Sequence, residues 1–405
     1  MCWVSCLQGI MPKVLNKLGG VKSMKILQIP TGGLFADGIL SCIVEYMTAM
    51  DKSDMDIRVL ATNQAEKSIV QKVEKVGCKV VSIPYRKTNI IKYFLSLYRY
   101  IAKEKIDIVH VHGSSAIMSV ELLAAMLAGC KVRIAHSHNT TCENRKADKM
   151  LRPLFNRTYT VAFACGRDAG KWMFGEEKFV VIPNGRNLQK YEYDSEKRMQ
   201  YRKSLKIPKD AVVIGHVGRF NTQKNHEYLI RIFDELYKKA KNAYLVLIGT
   251  GATLDEIKKK VVDLGLENRV IFTGAVDNVS DYLSVFDVML LPSLYEGLPL
   301  VVIEWQISGL PCIISDSITK ECAITSLVKF ESIKESPTVW VDDIEKLTIQ
   351  DRSENKDKIF NEIKAAGYDI QTGSGKLKKI YDNLYFVCSK SSKLKGRKKC
   401  LHMKD

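Results

Sequence analysis

The feature that most constrains this chain is a repeated alternation, from Met24 onward, of short β-branched runs with longer stretches of 3.6-residue apolar spacing. Residues 25–30, 56–61, 79–84, 107–112 and 132–137 read as strands, and 39–50, 64–76, 90–103 and 116–128 as the helices between them. Parallel strands need such crossovers, so the pattern predicts a doubly wound parallel sheet, closed by strands at 161–164 and 179–183. After Asn184-Gly185 the chain turns polar, with Tyr191, Tyr193 and Tyr201 among charges. A second series follows, with strands at 212–217, 243–248, 270–273, 288–291 and 312–315 and helices at 226–239, 253–264, 279–286 and 300–308. The expected class is α/β, with two Rossmann-like domains facing across a cleft. The predicted divisions are a poorly ordered extension at 1–23, a first domain at 24–185, a linker at 186–210 and a second domain at 211–375. A terminal helix at 376–388 is expected to return to the first domain, ahead of a basic tail at 389–405. Open α/β sheets bind ligands beyond the carboxyl ends of their strands, so the expected site lies in the loops lining the cleft.

Charge narrows the ligand. The 405 residues carry 62 Lys and Arg against 45 Asp and Glu, a formal charge of +17. An anionic partner fits: nucleic acid, acidic phospholipid or a phosphorylated small molecule. Part of the excess sits in the tail, where Lys390, Lys393, Lys395, Arg397, Lys398, Lys399 and Lys404 face one acid. The 11 cysteines form no C-x-x-C pair, which reads as reduced thiols. No apolar run is long enough to span a bilayer, and residues 1–23 lack the pattern of a signal peptide. The expected location is the cytoplasm.

Two strings carry chemistry. Behind the strand at 288–291 runs Pro292-Ser293-Leu294-Tyr295-Glu296-Gly297-Leu298-Pro299-Leu300-Val301-Val302-Ile303-Glu304, with two carboxylates eight positions apart. A helix starting near Leu300 presents the unpartnered amides of Leu298, Leu300 and Val301 to an anion, and carboxylates accept sugar hydroxyls. Behind the strand at 212–217 runs Gly218-Arg219-Phe220-Asn221-Thr222-Gln223-Lys224. Its planar guanidinium and compact ammonium suit a diphosphate.

Together these strings resemble the E-x7-E signature and the G-R-x4-K diphosphate clamp of glycosyltransferase family 4, the retaining transferases with two Rossmann-like domains. The likeness covers about Met24 to Val387, and within the family it is to bacterial capsular and exopolysaccharide transferases. It implies that Glu296 meets donor-sugar hydroxyls, Glu304 the nucleotide ribose, and Arg219 and Lys224 the donor phosphates. Gly218, Gly249, Gly251 and Val276 resemble the loops beside the nucleotide, and Gly32 and Gly33 a Gly-Gly turn near phosphate or acceptor. His112, in Val109-His110-Val111-His112-Gly113, matches a histidine facing the donor sugar, and His138 with Asn139 lies where the first domain reaches the acceptor. Val181-Ile182-Pro183-Asn184-Gly185 fits the family's domain junction, but Arg186-Asn187 stands where Ile or Val and then Asp is usual. That departure is expected to alter the hinge or acceptor side and to leave the donor clamp intact.

The implied reaction moves a sugar from a nucleoside diphosphate sugar, a UDP-sugar, to a hydroxyl of a growing glycan. A polyprenyl-diphosphate-linked acceptor would bring contact with the anionic inner face of the membrane. No cofactor, metal or nucleic acid is expected. Three rivals stay open. A UDP-sugar epimerase shares the fold; a metal-dependent hydrolase would use the pairs His110/His112 and His136/His138; a binding protein would act through its basic tail. A dinucleotide oxidoreductase lacks its G-x-G-x-x-G, and Gly373-Ser374-Gly375-Lys376 is no P-loop because Ile370 stands where its first glycine belongs.

Overall fold

The computed structural model describes residues 23–35, 38–62, 65–84, 86–347 and 352–391. Most of the expected extension at 1–23 and of the tail at 389–405 lies outside the described residues. The chain divides into two compact units, residues 1–182 with 374–405 and residues 183–373.

The first unit holds β1 (Met24–Pro30), β2 (Met55–Thr62), β3 (Lys79–Ile83), β4 (Ile108–Gly113), β5 (Val132–Ser137), β6 (Val161–Ala164) and β7 (Val180–Val181). Between them run α1 (Gly38–Ala49), α2 (Lys67–Lys75), α3 (Ile90–Glu104), α4 (Ser119–Leu127), α5 (Arg145–Thr158) and α6 (Arg167–Phe174). The sheet order is β3-β2-β1-β4-β5-β6-β7, and its pairings are parallel. Such a sheet is covered on both faces, which is why β1 and β4 are buried almost throughout.

In the second unit α7 (Ser195–Ser204) precedes β8 (Val212–Val217), α8 (His226–Lys239), β9 (Ala243–Ile248), α9 (Leu254–Asp263), β10 (Val270–Gly274), α10 (Val279–Tyr282) and β11 (Val288–Leu291). Then come α11 (Leu300–Ile307), β12 (Cys312–Ser315), β13 (Val328–Glu331), α12 (Pro337–Lys346) and α13 (Lys356–Ala365). The order β10-β9-β8-β11-β12-β13 repeats that of the first sheet, so the switch of direction falls between β8 and β11. The last helix, α14 (Ile370–Ser391), starts in the second unit and belongs to the first from Ser374 on, where Tyr381 is fully buried.

Residues 186–210, read from sequence as a linker, are folded into the second unit. Leu188, Tyr191 and Ile207 sit in its core. Arg198 and Arg202 of α7 grip the buried Asp287 at 2.5 and 2.8 Å, and Asp287 also accepts the amide of Val213 at 2.8 Å. This segment is held by charge-assisted hydrogen bonds more than by an apolar face, so hydrophobic spacing does not reveal it.

Candidate active site

Both strings identified from sequence lie at the carboxyl ends of β8 and β11, beside the switch point of the second sheet. Asn221 Oδ1 accepts the amide of Lys224, closing a tight turn after Gly218, and Asn225 takes the left-handed conformation that starts α8. This loop is stitched to the loop after β11. The amide of Leu294 donates to Gln223 O at 2.8 Å, Asn225 Nδ2 donates to Pro292 O at 3.1 Å, and Gln223 Nε2 donates to Tyr295 O at 3.0 Å.

At the centre, Lys224 Nζ donates to Glu296 Oε1 at 2.7 Å, and Gln223 Nε2 reaches Glu296 Oε2 at 3.2 Å. An ammonium has three N–H donors, so Lys224 can hold Glu296 and still offer protons to a phosphate. Arg219 is exposed and, among the described residues, has no hydrogen-bonded or ionic partner. Leu300 and Val301 open α11, where their amides lack helical acceptors; Pro299 caps the helix, and Leu298 is packed beside the core. Val276 also rests on that core.

Two glycines shape the cation loop from below. At Gly249, with φ of +142°, a Cβ would lie 2.0 Å from Gly218 O; at Gly251 it would lie 2.2 Å from Phe220 O. The turn therefore supports the Gly218–Phe220 backbone, which donates from Phe220 N to Thr250 O at 2.9 Å. Gly32, by contrast, has nothing within 4 Å of such an atom. Gly249→Ala is expected to lower the melting temperature of the second unit, at a cost of about 2–3 kcal/mol, and to weaken donor binding. Gly32→Ala should leave melting unchanged. Calorimetry of the two variants checks the contrast.

Beneath the loop lie two histidines that sequence reasoning missed. His216 Nδ1 donates to Leu290 O at 2.8 Å, and His226 stacks on Phe220 with ring centroids 4.0 Å apart. Burial, with the charge of Lys224 a lesser cause, pushes His226 down to about 4, and burial holds His216 well below its usual range. Both are therefore neutral and support the loop by packing and by the hydrogen bond to Leu290.

Glu304 accepts at Oε1 from Arg186 Nε at 2.8 Å and from Tyr191 Oη at 3.1 Å. Arg186, which departs from the family pattern at the junction, is thus held on Glu304 of α11.

In the first unit, the register of β1, β4 and β5 sets His110 beside Gln28 and His112 beside His136. Four imidazoles form one network. His112 Nε2 donates to Gln28 Oε1 at 2.7 Å, and His138 Nε2 donates to His112 Nδ1 at 2.8 Å. Gln28 Nε2 donates to Tyr381 Oη at 3.0 Å, which donates to His110 Nδ1 at 2.7 Å; His110 Nε2 donates to His136 Nδ1 at 3.1 Å. The orientation of the Gln28 amide assigns every tautomer in this chain, and each ring is neutral. Burial holds His110, His112 and His136 well below the ordinary range and pushes His138 to about 3. Ring nitrogens of His110, His112 and His136 approach within 4.8 Å of one another, the spacing a metal ion needs. Five of those six nitrogens are already in hydrogen bonds, so an ion would have to displace the network. Equally, a donor contact by His112 must replace its bond to Gln28 or His138.

Gly32 and Gly33 follow β1, where Thr31 N donates to His112 O at 2.9 Å and ties the turn to the end of β4. His138 N donates to Gly113 O, and Asn139 Oδ1 accepts the amide of Thr140. The first unit therefore gathers Gly32, Gly33, His112, His138 and Asn139 around the ends of β1, β4 and β5. In the second, Lys224 and Glu296 are paired, Arg219 stands on the same loop as Lys224, and Glu304 lies on α11 with Arg186 and Tyr191 as its partners.

Two doubly wound α/β units, the second with cations and carboxylates at its switch point, are the frame against which known proteins compare. Residues 36–190 match the family model described as Glycosyltransferase Family 4, and residues 197–364 that of Glycosyl transferases group 1. The EpsF glycosyltransferase of Bacillus subtilis is 31% identical over 363 residues, 86% of this chain and 94% of that protein. The Escherichia coli UDP-Gal:alpha-D-GlcNAc-diphosphoundecaprenol alpha-1,3-galactosyltransferase is 29% identical over 72% of this chain and 79% of its own length. HepE of Anabaena, solved in complex with UDP-glucose, has the same fold, with a TM-score of 0.72 and 17% identity over 89% of this chain and 100% of that one. The chain belongs to glycosyltransferase family 4.

Proposed function

We propose that this enzyme transfers a sugar from a UDP-sugar to a hydroxyl of a growing, lipid-linked glycan in capsular or exopolysaccharide synthesis, with retention at the anomeric carbon. The observation that carries the reading is the Lys224–Glu296 pair, with Arg219 beside it in sequence and uncommitted, at the switch point of the second sheet. Lys224, Arg219 and the first amides of α11 would stabilise the diphosphate as the bond from the anomeric carbon to phosphate oxygen breaks. Glu296 would accept donor-sugar hydroxyls and Glu304 the ribose. The acceptor oxygen forms the new bond to the anomeric carbon, and its proton passes to the departing phosphate oxygen. Because fixed cations supply the charge, the reaction is proposed to need no metal. The E. coli relative is named for a UDP-Gal donor and a diphosphoundecaprenol-linked glycan, and HepE binds UDP-glucose, which supports the donor and acceptor classes. His112 is assigned to the donor sugar, and His138 with Asn139 to the acceptor.

The test is release of UDP from a panel of UDP-sugars in EDTA, with a lipid extract as acceptor. Release from one donor that depends on extract supports transfer. Donor interconversion without acceptor would point instead to an epimerase, and release abolished by EDTA would overturn the metal-free reading.

A lipid-linked acceptor calls for contact with a bilayer. Among the described residues, no helix is long and apolar enough to cross a membrane. On α3, Ile91, Leu95, Tyr98 and Ala102 fall at i, i+4, i+7 and i+11 on the exposed side, with Ile91 69% exposed. Exposed Lys92, Arg99 and Lys103 flank this stripe, while Glu104 is turned away onto Arg58 at 2.8 Å. An apolar stripe with a basic flank suits an anionic bilayer surface. The protein should cosediment with phosphatidylglycerol vesicles at low salt, and Leu95→Glu/Tyr98→Glu should reduce that binding severalfold. Unchanged binding by the variant would remove α3 from the contact.

A further inference from the structure

Arg186 is an unusual residue to bury. Only 2% of it is exposed, it directly follows Asn184-Gly185, and its guanidinium must find an anion because an unpaired buried charge is costly. Its partner is the carboxylate that the proposed function gives to the ribose. The contact is one-sided: Nε donates to Glu304 Oε1 at 2.8 Å, Tyr191 Oη donates to the same oxygen at 3.1 Å, and Nη1 turns to Gly185 O at 3.1 Å. Among the described residues, Glu304 Oε2 takes no hydrogen bond. An arginine spread over both carboxylate oxygens would have left a ribose only the remaining lone pair of each. Here one oxygen is pinned by two donors and the other is left for a ligand.

The backbone of Arg186 fixes the guanidinium in turn. Its amide donates to Tyr368 O at 2.7 Å, its carbonyl accepts from Ile370 N at 3.0 Å, and residues 186 and 369 form a parallel bridge. Glu304 is held from the other side by α11, whose Trp305 and Ile303 are fully buried. Carboxylate and guanidinium are thus each anchored by a rigid segment, which a positioning contact requires. The ion pair also balances the charge of Glu304, so a diphosphate bound nearby meets less repulsion.

We infer that Arg186 is a positioning residue of the donor site, holding Glu304 Oε1 so that Oε2 faces the ribose hydroxyls of the nucleotide. The inference rests on the proposed reading of Glu304, and it makes Arg186 a determinant of ribose recognition that the usual apolar residue at this position cannot be.

The experiment is titration calorimetry on the full chain. The tightest binder among UDP, CDP, ADP and GDP is compared with its 2′-deoxy counterpart, for wild type, Glu304→Gln, Arg186→Met and Arg186→Lys. Glu304→Gln keeps an acceptor for Arg186 and Tyr191 but can replace the free oxygen by a donor. Wild type is expected to prefer the ribonucleotide about tenfold, the loss of one charge-assisted hydrogen bond. Both Glu304→Gln and Arg186→Met should bring the ratio near one, while inorganic pyrophosphate still binds Arg186→Met as it binds wild type. Arg186→Lys, which restores charge without the fixed fork, should recover part of the ratio. A general loss of structure would weaken ribo- and deoxyribonucleotide alike and reduce pyrophosphate binding; the ratio is then read from Arg186→Lys. An unchanged ratio in both Arg186 variants alongside a lost ratio in Glu304→Gln overturns the inference and keeps the ribose reading. An unchanged ratio in Glu304→Gln, or no nucleotide bound at all, overturns both.

Discussion

Lys224→Ala is expected to lower the turnover of saturated enzyme by about 10²–10³-fold, and Glu296→Ala by a similar factor. The reason is geometric. Lys224 Nζ sits 2.7 Å from Glu296 Oε1, both side chains are mostly buried, and each holds the other in place. On the proposed reading, removing the lysine takes a fixed positive charge from where the diphosphate gains negative charge, and it also frees Glu296. On the same reading, removing the glutamate takes acceptors from the donor sugar, and it leaves Lys224 without its carboxylate partner. Because the two act as one unit, the double variant should be about as slow as the slower single variant. Lys238→Ala, on an exposed pair with Asp234 and Glu235, should leave turnover unchanged. Steady-state nucleotide release from wild type and the four variants checks this. Fully additive losses would mean that Lys224 and Glu296 serve separate tasks.

The second large effect is acid sensitivity of the first unit. His110, His112, His136 and His138 are neutral when folded and titrate near 6.5 when unfolded. Their folded values lie below the unfolded one. Stability is therefore full above about pH 6.5 and is lost as pH falls below it, because the unfolded chain takes up protons the folded chain refuses. Each imidazole costs up to about 1.4 kcal/mol per pH unit, so four cost roughly 5 kcal/mol between pH 7.5 and 5.5. The second unit holds only His216 and His226 in this state, among the described residues, and should lose about half as much. Paired carboxylates add their own loss only at lower pH. Calorimetric melting across this range should show the first unit's transition falling about twice as fast as the second's. Equal slopes would show that the four-histidine network takes up protons while folded.

Much of this was legible in the sequence because it is written in local periodicity. The alternation of apolar runs marks the paired parallel strands, and the two strings behind β8 and β11 mark the cations and carboxylates. The helices α5 and α6 were not anticipated although both are amphipathic, and part of what else escaped was held by long-range polar contacts. α7 docks through Arg198 and Arg202 on Asp287, and β13 is an edge strand whose residues are only partly buried. The H-x-H pairs were visible, but Gln28 and Tyr381, which assign their tautomers, are 353 positions apart in sequence. Arg186 was noticed as a departure from the family pattern, yet its partner lies 118 positions away. No spacing rule connects them.

The central claim is that the chain transfers a sugar with its anomeric configuration kept. The most direct measurement is proton NMR of the product formed from an α-linked UDP-sugar and a soluble analogue of the lipid-linked acceptor. A single new anomeric doublet with the small coupling of an α-linkage is expected, appearing in step with free UDP and absent with Lys224→Ala. A β-linked product, or UDP release that yields only free or isomerised sugar, would contradict it.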